Sequence, residues 1–428
     1  MPQANKGLFY GWYMVISGFF VMFAGFSIVN SLHSLFMVPV TEELHMSRTT
    51  FSIVLSIGGL GMALSSPFMG KWLSKGNMKA IMGICILVAG LGFMSYSLAH
   101  SAIYFGCVAF VIGVCLAGFS NIPISILLNN WFHEKKGMAM GLTFAGSGIG
   151  TAILSPVLSS LIAEVGWRMT YVISGGLIIV IALPLVLIFV KREPREKGLA
   201  PFGGHNHQAE SKESAEQAGQ GLSWKQVKKS GVFWLFIFGI VCFSLVSGGV
   251  QMHIPAYLED IGHPAVFAGT IFGLLSLSNT VGKLLLGYVF DRFGTIGGAI
   301  YVGICMTIAM LALMASGSTI FAFVFAVAYG FSIVIATLGP PFMTNDMFGK
   351  KDFGTIFGVV QIFFVAAGSL GVVASGIIYD RTNSYQFAWW FFLALFIISM
   401  LSISAAARFM KKTGTLKKKE PPASDQAV

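Results

Sequence analysis

Charge is scarce in this sequence. Only 10% of its 428 residues are Asp, Glu, Lys or Arg, against about 25% in soluble proteins. With a mean hydropathy of +0.79, a water-soluble fold of this length lacks the polar groups to cover its surface. The five cysteines, Cys85, Cys107, Cys115, Cys242 and Cys305, lie in apolar stretches without paired spacing or a histidine partner. That pattern argues against a disulfide framework and against zinc. There is no His-Glu-x-x-His, no Gly-x-Ser-x-Gly and no carboxylate pair inside an apolar run, so an intramembrane enzyme is not expected, nor is a cofactor or metal. The glycine rows Gly58-Gly59-x-Gly61 and 141–150 lack the strand and the Lys-Ser/Thr of a phosphate loop, and read as close helix packing.

What the sequence does contain is apolar runs of about 20 residues or more, the length that crosses a bilayer as a helix. Twelve are expected, at about 11–38, 51–73, 79–98, 102–128, 137–163, 168–190, 231–258, 265–289, 295–317, 319–345, 354–379 and 386–409. The fold class is therefore an all-α membrane protein. The first run, about 30 residues long, exceeds a cleavable leader core and reads as a retained span. One long polar segment, from Lys191 to about Ser230, divides the helices six and six. It defines an N-terminal bundle (1–190), a cytosolic linker (191–230), a C-terminal bundle (231–410) and a cytosolic tail (411–428). His205 and His207 read as solvated linker residues, and Leu222 to Lys229 as a segment lying on the anionic leaflet.

The net charge of +10 follows the positive-inside rule. With both termini cytosolic, 23 of the 27 Lys and Arg fall in cytosolic segments. Arg48, Arg168 and Arg381 face the other side, and Lys283 alone lies within a span. Such a distribution locates the protein in the cytoplasmic membrane and removes nucleic acid from its expected partners. The halves also repeat: Gly70-Lys-Trp-Leu-Ser-Lys matches Gly287-Tyr-Val-Phe-Asp-Arg at an offset of 217, and Pro39 before Glu42-Glu43 matches Pro255 before Glu259-Asp260 at 216. A parallel repeat implies two bundles about an axis along the membrane normal, a midplane substrate site between them, and rocking-bundle alternating access.

The pattern Gly-x-x-x-Asp-Arg-x-Gly at Gly287, Asp291, Arg292 and Gly294 resembles the signature of the major facilitator superfamily. Its N-terminal copy, Gly70, Ser74 and Lys75, departs from the family by placing Ser74 where Asp is usual. The resemblance implies a conformational latch at these residues, in which a carboxylate clamps a neighbouring helix end. The stretch Asn130-Trp-Phe-His-Glu-Lys-Lys-Gly-Met-Ala-Met-Gly-Leu-Thr-Phe-Ala-Gly-Ser-Gly-Ile-Gly, with Tyr10-Gly-Trp and Gly166-Trp-Arg, resembles the monocarboxylate porter family and bacterial oxalate/formate-antiporter-like carriers. This narrower resemblance covers almost the whole chain and implies a small organic anion as substrate.

Each charged side chain retained at mid-bilayer costs at least about 2.5–3.5 kcal/mol, so those that remain point to function. The span interiors hold Lys283, His33 and His253 and no Asp or Glu, which favours an anion. Lys283 is the expected carboxylate binder, on one helix stripe with Asn279 and Gly287. It sits where monocarboxylate porters resemble one another in Asp-x-x-x-Arg, and Asn279 replaces that Asp. In a gapless reading from Gly11-Trp12 the first-helix lysine of animal monocarboxylate porters falls on Asn30, which leaves His33, His253 and Lys283 as proton-coupling candidates. His253 precedes Pro255, which breaks the helix and frees carbonyls. Asn121 and Gln361 are further substrate-binding candidates. The expectation is a carrier of a monocarboxylate such as lactate, pyruvate or formate, working by proton symport or anion exchange and acting as a monomer in the bilayer. The alternative is efflux of hydrophobic or cationic compounds.

Overall fold

The computed structural model describes residues 9–132, 134–203, 221–349 and 351–412; the side chains of Ser74, Lys75 and Asp291, the linker histidines His205 and His207, and the tail beyond 412 lie outside the described residues. Among the described residues, eleven continuous helices are long and apolar enough to span a membrane. One of them, Gly137–Phe189, has 53 residues. At 1.5 Å per residue it is roughly 80 Å long, far beyond a bilayer. Gly166, at φ 77°, breaks it into two spans.

The twelve spans are α1 Gly11–Glu43, α2 Arg48–Leu73, α3 Met78–Leu98, α4 Ala102–Trp131, α5 137–165, α6 167–189, α7 Gly231–Gln251, α8 265–293, α9 295–314, α10 Thr319–Phe348, α11 Thr355–Thr382 and α12 Gln386–Met410. They form two six-helix bundles. Small residues let backbones touch within each bundle: Gly146 of α5 against Phe19 of α1, Gly248 of α7 against Gly368 of α11, and Gly330 of α10 against Leu275 of α8.

The repeat is visible in the backbone. His45 (φ 47°) and Gly262 (φ 95°) are both left-handed and stand 217 residues apart, as do Gly166 (φ 77°) and Asn383 (φ 51°). The opening helix of each half is interrupted at an equivalent level. In α1 a stretch of wider π turns, Val21–Ser31, passes into tight 3-10 turns at Leu32–Phe36. In the second half α7 stops at Gln251, and a short helix, Ile254–Asp260, restarts with Pro255 in its first turn. The helices α4 and α10 also break, at Ser120 and Val334. Irregular backbone inside a membrane is tolerated where it lines a cavity or is buried in protein.

The bundles meet along two helix pairs, α5 with α8 and α2 with α11, and the small-residue stripes show how closely. Near the end that carries Arg48, a Cβ on Gly273 would lie 2.7 Å from the Ala152 carbonyl, and one on Gly376 would lie 2.8 Å from Thr49 Cα. Further along the same helix faces, Gly137 and Gly141 of α5, Gly287 of α8 and Gly358 of α11 would meet nothing within 4 Å. The halves are thus pressed together at the Arg48 end and parted at the linker end.

Candidate functional site

Between the bundles lies a cavity of about 370 Å³. The interrupted helices build much of it: α1 gives Asn30 and His33, α4 Ile112 and Leu116, α7 Ser244, Ser247 and Gln251, and α10 Thr337. The paired helices α2 and α11 complete it with Ser56, Gly59, Met62, Phe364 and Ser369. Among the described residues, no Asp, Glu, Lys or Arg lines it. Ser56 Oγ donates to the Ser369 carbonyl at 3.1 Å, which ties α2 to α11 at the cavity wall.

His33 is 6% exposed and boxed by aromatic rings, with Phe36, Phe51, Phe93, Tyr96 and Tyr171 at centroid distances of 5.3–6.4 Å. Its Nε2 has no hydrogen-bond partner among the described residues. Buried polar atoms are nearly always paired, so this nitrogen, on a residue of the cavity wall, is one that a ligand hydroxyl or carboxyl would satisfy. Asn30 lies three residues away and is exposed in the same cavity.

His253 is placed differently. It is fully buried, and both ring nitrogens are used. Nδ1 lies 2.8 Å from Tyr385 Oη, and Nε2 lies 3.0 Å from the Val372 carbonyl and 3.2 Å from Ser52 Oγ. Because a carbonyl only accepts, Nε2 carries the proton and Nδ1 accepts from the tyrosine. The Tyr385 oxygen in turn accepts from Arg48 Nη1 at 2.9 Å. His253 therefore belongs to a chain of hydrogen bonds that crosses between bundles.

Arg48 is the centre of that chain. Ser47 starts α2 by accepting the Thr50 N–H at 3.1 Å, which makes Arg48 the first residue of the helix. Its guanidinium forks onto Asp260 of the other half at 2.5 and 2.6 Å and stacks 3.8 Å from the Tyr379 ring centroid. Asp380 of α11 accepts the backbone N–H groups of Arg48 and Thr49 at 3.2 and 2.9 Å, placing a carboxylate on the positive end of α2. Beside this clamp, Glu42 and Glu259 line a small cavity with Ser159. Burial pushes the Glu259 carboxyl up to about 7; Arg48 opposes the rise, and Asp260 and Glu42 add to it.

The repeat explains why the clamp joins the halves. Glu43 occupies in the first half the position Asp260 holds in the second, and it pairs with Arg168 of its own half at 3.0 Å. The residue equivalent to Arg168 is Tyr385, which carries no charge. Asp260 thus lacks the equivalent cation in its own bundle and takes one from α2.

Lys283 does not line the cavity. On α8, Ser276 and Gly273 face α5, while Ser278 and Gly282 face α10; at 100° per residue the Lys283 position falls between the α5-facing and α10-facing sides of α8. It is half-buried, and none of the ion pairs among the described residues includes it. One turn earlier, Asn279 Oδ1 is buried without a partner among the described residues. Gln361 is exposed and extends the cavity-lining stripe of α11 by one turn toward the linker end, and Asn121 is exposed just past the break in α4. The structure thus gathers Asn30 and His33 at the cavity, with Gln361 at its margin, and sets Lys283 and Asn279 apart from them.

Of the latch residues, Gly294 turns the backbone at φ 63° between α8 and α9, and Arg292 donates to Tyr288 Oη at 2.7 Å. The start of α9 is capped by Asp346 of α10, which accepts from Thr295 N and Oγ1 at 3.2 and 2.6 Å. Sequence reasoning missed Arg48, Asp260, Asp380, Tyr385 and Asp346. The available signal was Arg48 itself, one of three cations on the charge-poor side.

The Major Facilitator Superfamily family model matches residues 14–344. The chain belongs to that superfamily. It is a multi-pass membrane transporter of small molecules and not an enzyme. Similar proteins include the MFS-type transporter YcxA of Bacillus subtilis, 23% identical over 87% of this chain and 90% of the relative. Monocarboxylate transporter 13 of Rattus norvegicus is 24% identical over 88% and 84%, and monocarboxylate transporter 1 of the same organism 25% identical over 92% and 83%. Among solved structures, the nucleoside transporter NupG superposes with a TM-score of 0.70 at 15% identity, covering 93% of this superfamily member and 99% of NupG. A bacterial homologue of the lysosomal transporter Spinster, in an inward-facing, occupied conformation, gives 0.67 at 15% identity over 96% and 97%. These likenesses show the fold.

Proposed function

We propose that this transporter carries a short monocarboxylate, of the lactate, pyruvate or formate type, by proton symport or anion exchange. The observation that carries the reading is Lys283, a half-buried cation on α8 between its α5-facing and α10-facing sides, with no ion-pair partner among the described residues. A cation so placed is stabilised by an anion that arrives and leaves. The central cavity, lined by no carboxylate among the described residues, and the two rat monocarboxylate transporters among the relatives support the same substrate class.

In this proposal the positive-inside count makes the linker end cytosolic, with both termini inside the cytoplasmic membrane, and the conformation described is open to the cytosol. The substrate meets Asn30, His33 and Gln361 along the cavity and Lys283 beside it. Access alternates as the Arg48 clamp opens and the linker end closes. His33 and Lys283 are the coupling candidates nearest this path, while His253 acts through the clamp. The alternative, efflux of hydrophobic or cationic compounds, draws on the apolar wall of Val54, Leu55, Met62 and Phe364 but finds no carboxylate there to hold a cation.

Proteoliposome uptake of radiolabelled lactate, pyruvate, formate, acetate and oxalate, with and without an inward proton gradient, tests the reading. Lys283→Ala is expected to lower saturable uptake at least about tenfold, the loss of one hydrogen bond to a charged group. Lys283→Arg is expected to retain transport. If no acid moves, or Lys283→Ala transports normally, the anion assignment is wrong.

A further inference from the structure

A second cavity, of about 490 Å³, lies on the flank of the C-terminal bundle between α9 and α12, lined by Ala299 to Ile308 on one helix and Phe396 to Ser404 on the other. Its walls are apolar, with Thr307 and Ser404 the only hydroxyls among the described residues, and Thr307 spends its hydroxyl on the Gly303 carbonyl of its own helix. The repeat supplies an internal control. In the first half the equivalent helices, α3 and α6, are closed on one another, with Gly90 against Ile179 and the Gly175 carbonyl. At the α9–α12 pair Gly303 would meet nothing within 4 Å. The groove is thus a feature of this half and not a consequence of the fold.

Cations flank one end of it. Arg408 is four residues beyond Ser404 on the same face of α12, one turn or roughly 6 Å further along, and is exposed. Arg292 lies at the end of α8, two residues before the Gly294 turn that leads into α9; it is exposed and lies against Phe293 and Tyr288. Among the described residues, neither arginine is in an ion pair. Both belong to the linker end, where the spans leave the membrane.

We propose that this groove is a binding site for an anionic phospholipid, with one acyl chain lying between α9 and α12 over Gly303 and the headgroup phosphate on Arg408 and Arg292. An apolar trough within the hydrocarbon is filled by a chain of its own polarity, and two guanidiniums at headgroup depth, neither in an ion pair among the described residues, select a negative phosphate. The site is separate from the interbundle cavity and independent of the identity of the transported substrate.

The test is native mass spectrometry of the full-length protein released from nanodiscs holding equal amounts of phosphatidylglycerol and phosphatidylcholine. The wild type is expected to retain one phosphatidylglycerol. Arg408→Ala is expected to lower the preference for phosphatidylglycerol about fivefold, as for one interfacial cation, and Arg408→Lys to restore most of it. Gly303→Phe, which fills the floor of the groove, is expected to lose the retained lipid with an unchanged elution profile; if that variant does not fold, the two Arg408 variants decide the matter. Equal retention of both lipids by the wild type, an unchanged preference in Arg408→Ala, or a dimer that Gly303→Phe dissociates would overturn the proposal, the last by making the groove an interface between copies.

Discussion

His33 and His253 show how differently one residue type is used at similar depth. The His253 ring is saturated by Tyr385, Val372 and Ser52, so any substitution leaves a buried partner unmet, a loss of about 1–3 kcal/mol for each orphaned group. His33 has an unused nitrogen inside an aromatic box. His33→Phe removes no hydrogen bond and keeps the box filled, so the melting temperature is expected to hold, with a stability change under about 1.5 kcal/mol. If the nitrogen meets substrate, KM rises about tenfold. Thermal unfolding measured beside uptake kinetics separates the outcomes, and an unchanged KM would remove His33 from the binding path.

Among the helices, the facing stripes of α5 and α8 carry the contrast between the two ends. Gly273→Val places a side chain against the Ala152 carbonyl, 2.7 Å from the new Cβ. It is expected to cost about 1–3 kcal/mol and to lower the melting temperature by several degrees. Gly141→Leu, on the same face of α5 as Gly148 and with nothing within 4 Å, is expected to leave melting unchanged to within about 0.5 kcal/mol. Its side chain would stand where the linker end must close, so transport is expected to fall. Equal melting losses in the two variants would show that the stripe is not split into a closed and an open half.

For the whole molecule, the balance between conformations rests on the Arg48 clamp. Arg48→Gln breaks a fork onto Asp260 whose side chains are 10% and 25% exposed; allowing for that exposure, the closed end is expected to lose about 1–3 kcal/mol. Interspin distances between labels on the two bundles at this end would report the opening. Glu259 adds pH dependence. Its carboxyl is raised by burial to about 7 from an ordinary 4.5, so the neutral form is favoured while the clamp is shut, and opening to water returns the group toward its ordinary value. The closed end is therefore favoured at low pH and loses that advantage as pH rises from 4.5 to about 7. Glu259→Gln is expected to flatten this dependence; an undiminished pH response in that variant would assign it to another group.

The membrane environment, the twelve spans, the repeat and the candidate cation Lys283 were legible in the sequence, because each rests on runs, counts or spacings along one chain. Gly166 reads as a loop residue and proved to be the break within a single 53-residue helical run. The clamp was not legible. Arg48 meets Asp260 across 212 residues, Tyr385 across 337 and Asp380 across 332, and periodicity relates only residues on one helix face. Nor could spacing tell that His33 would keep a free nitrogen while His253 lost both. Those differences were decided by which helices pack together, since a polar group's partners in a bilayer come from the neighbouring helix and not from water.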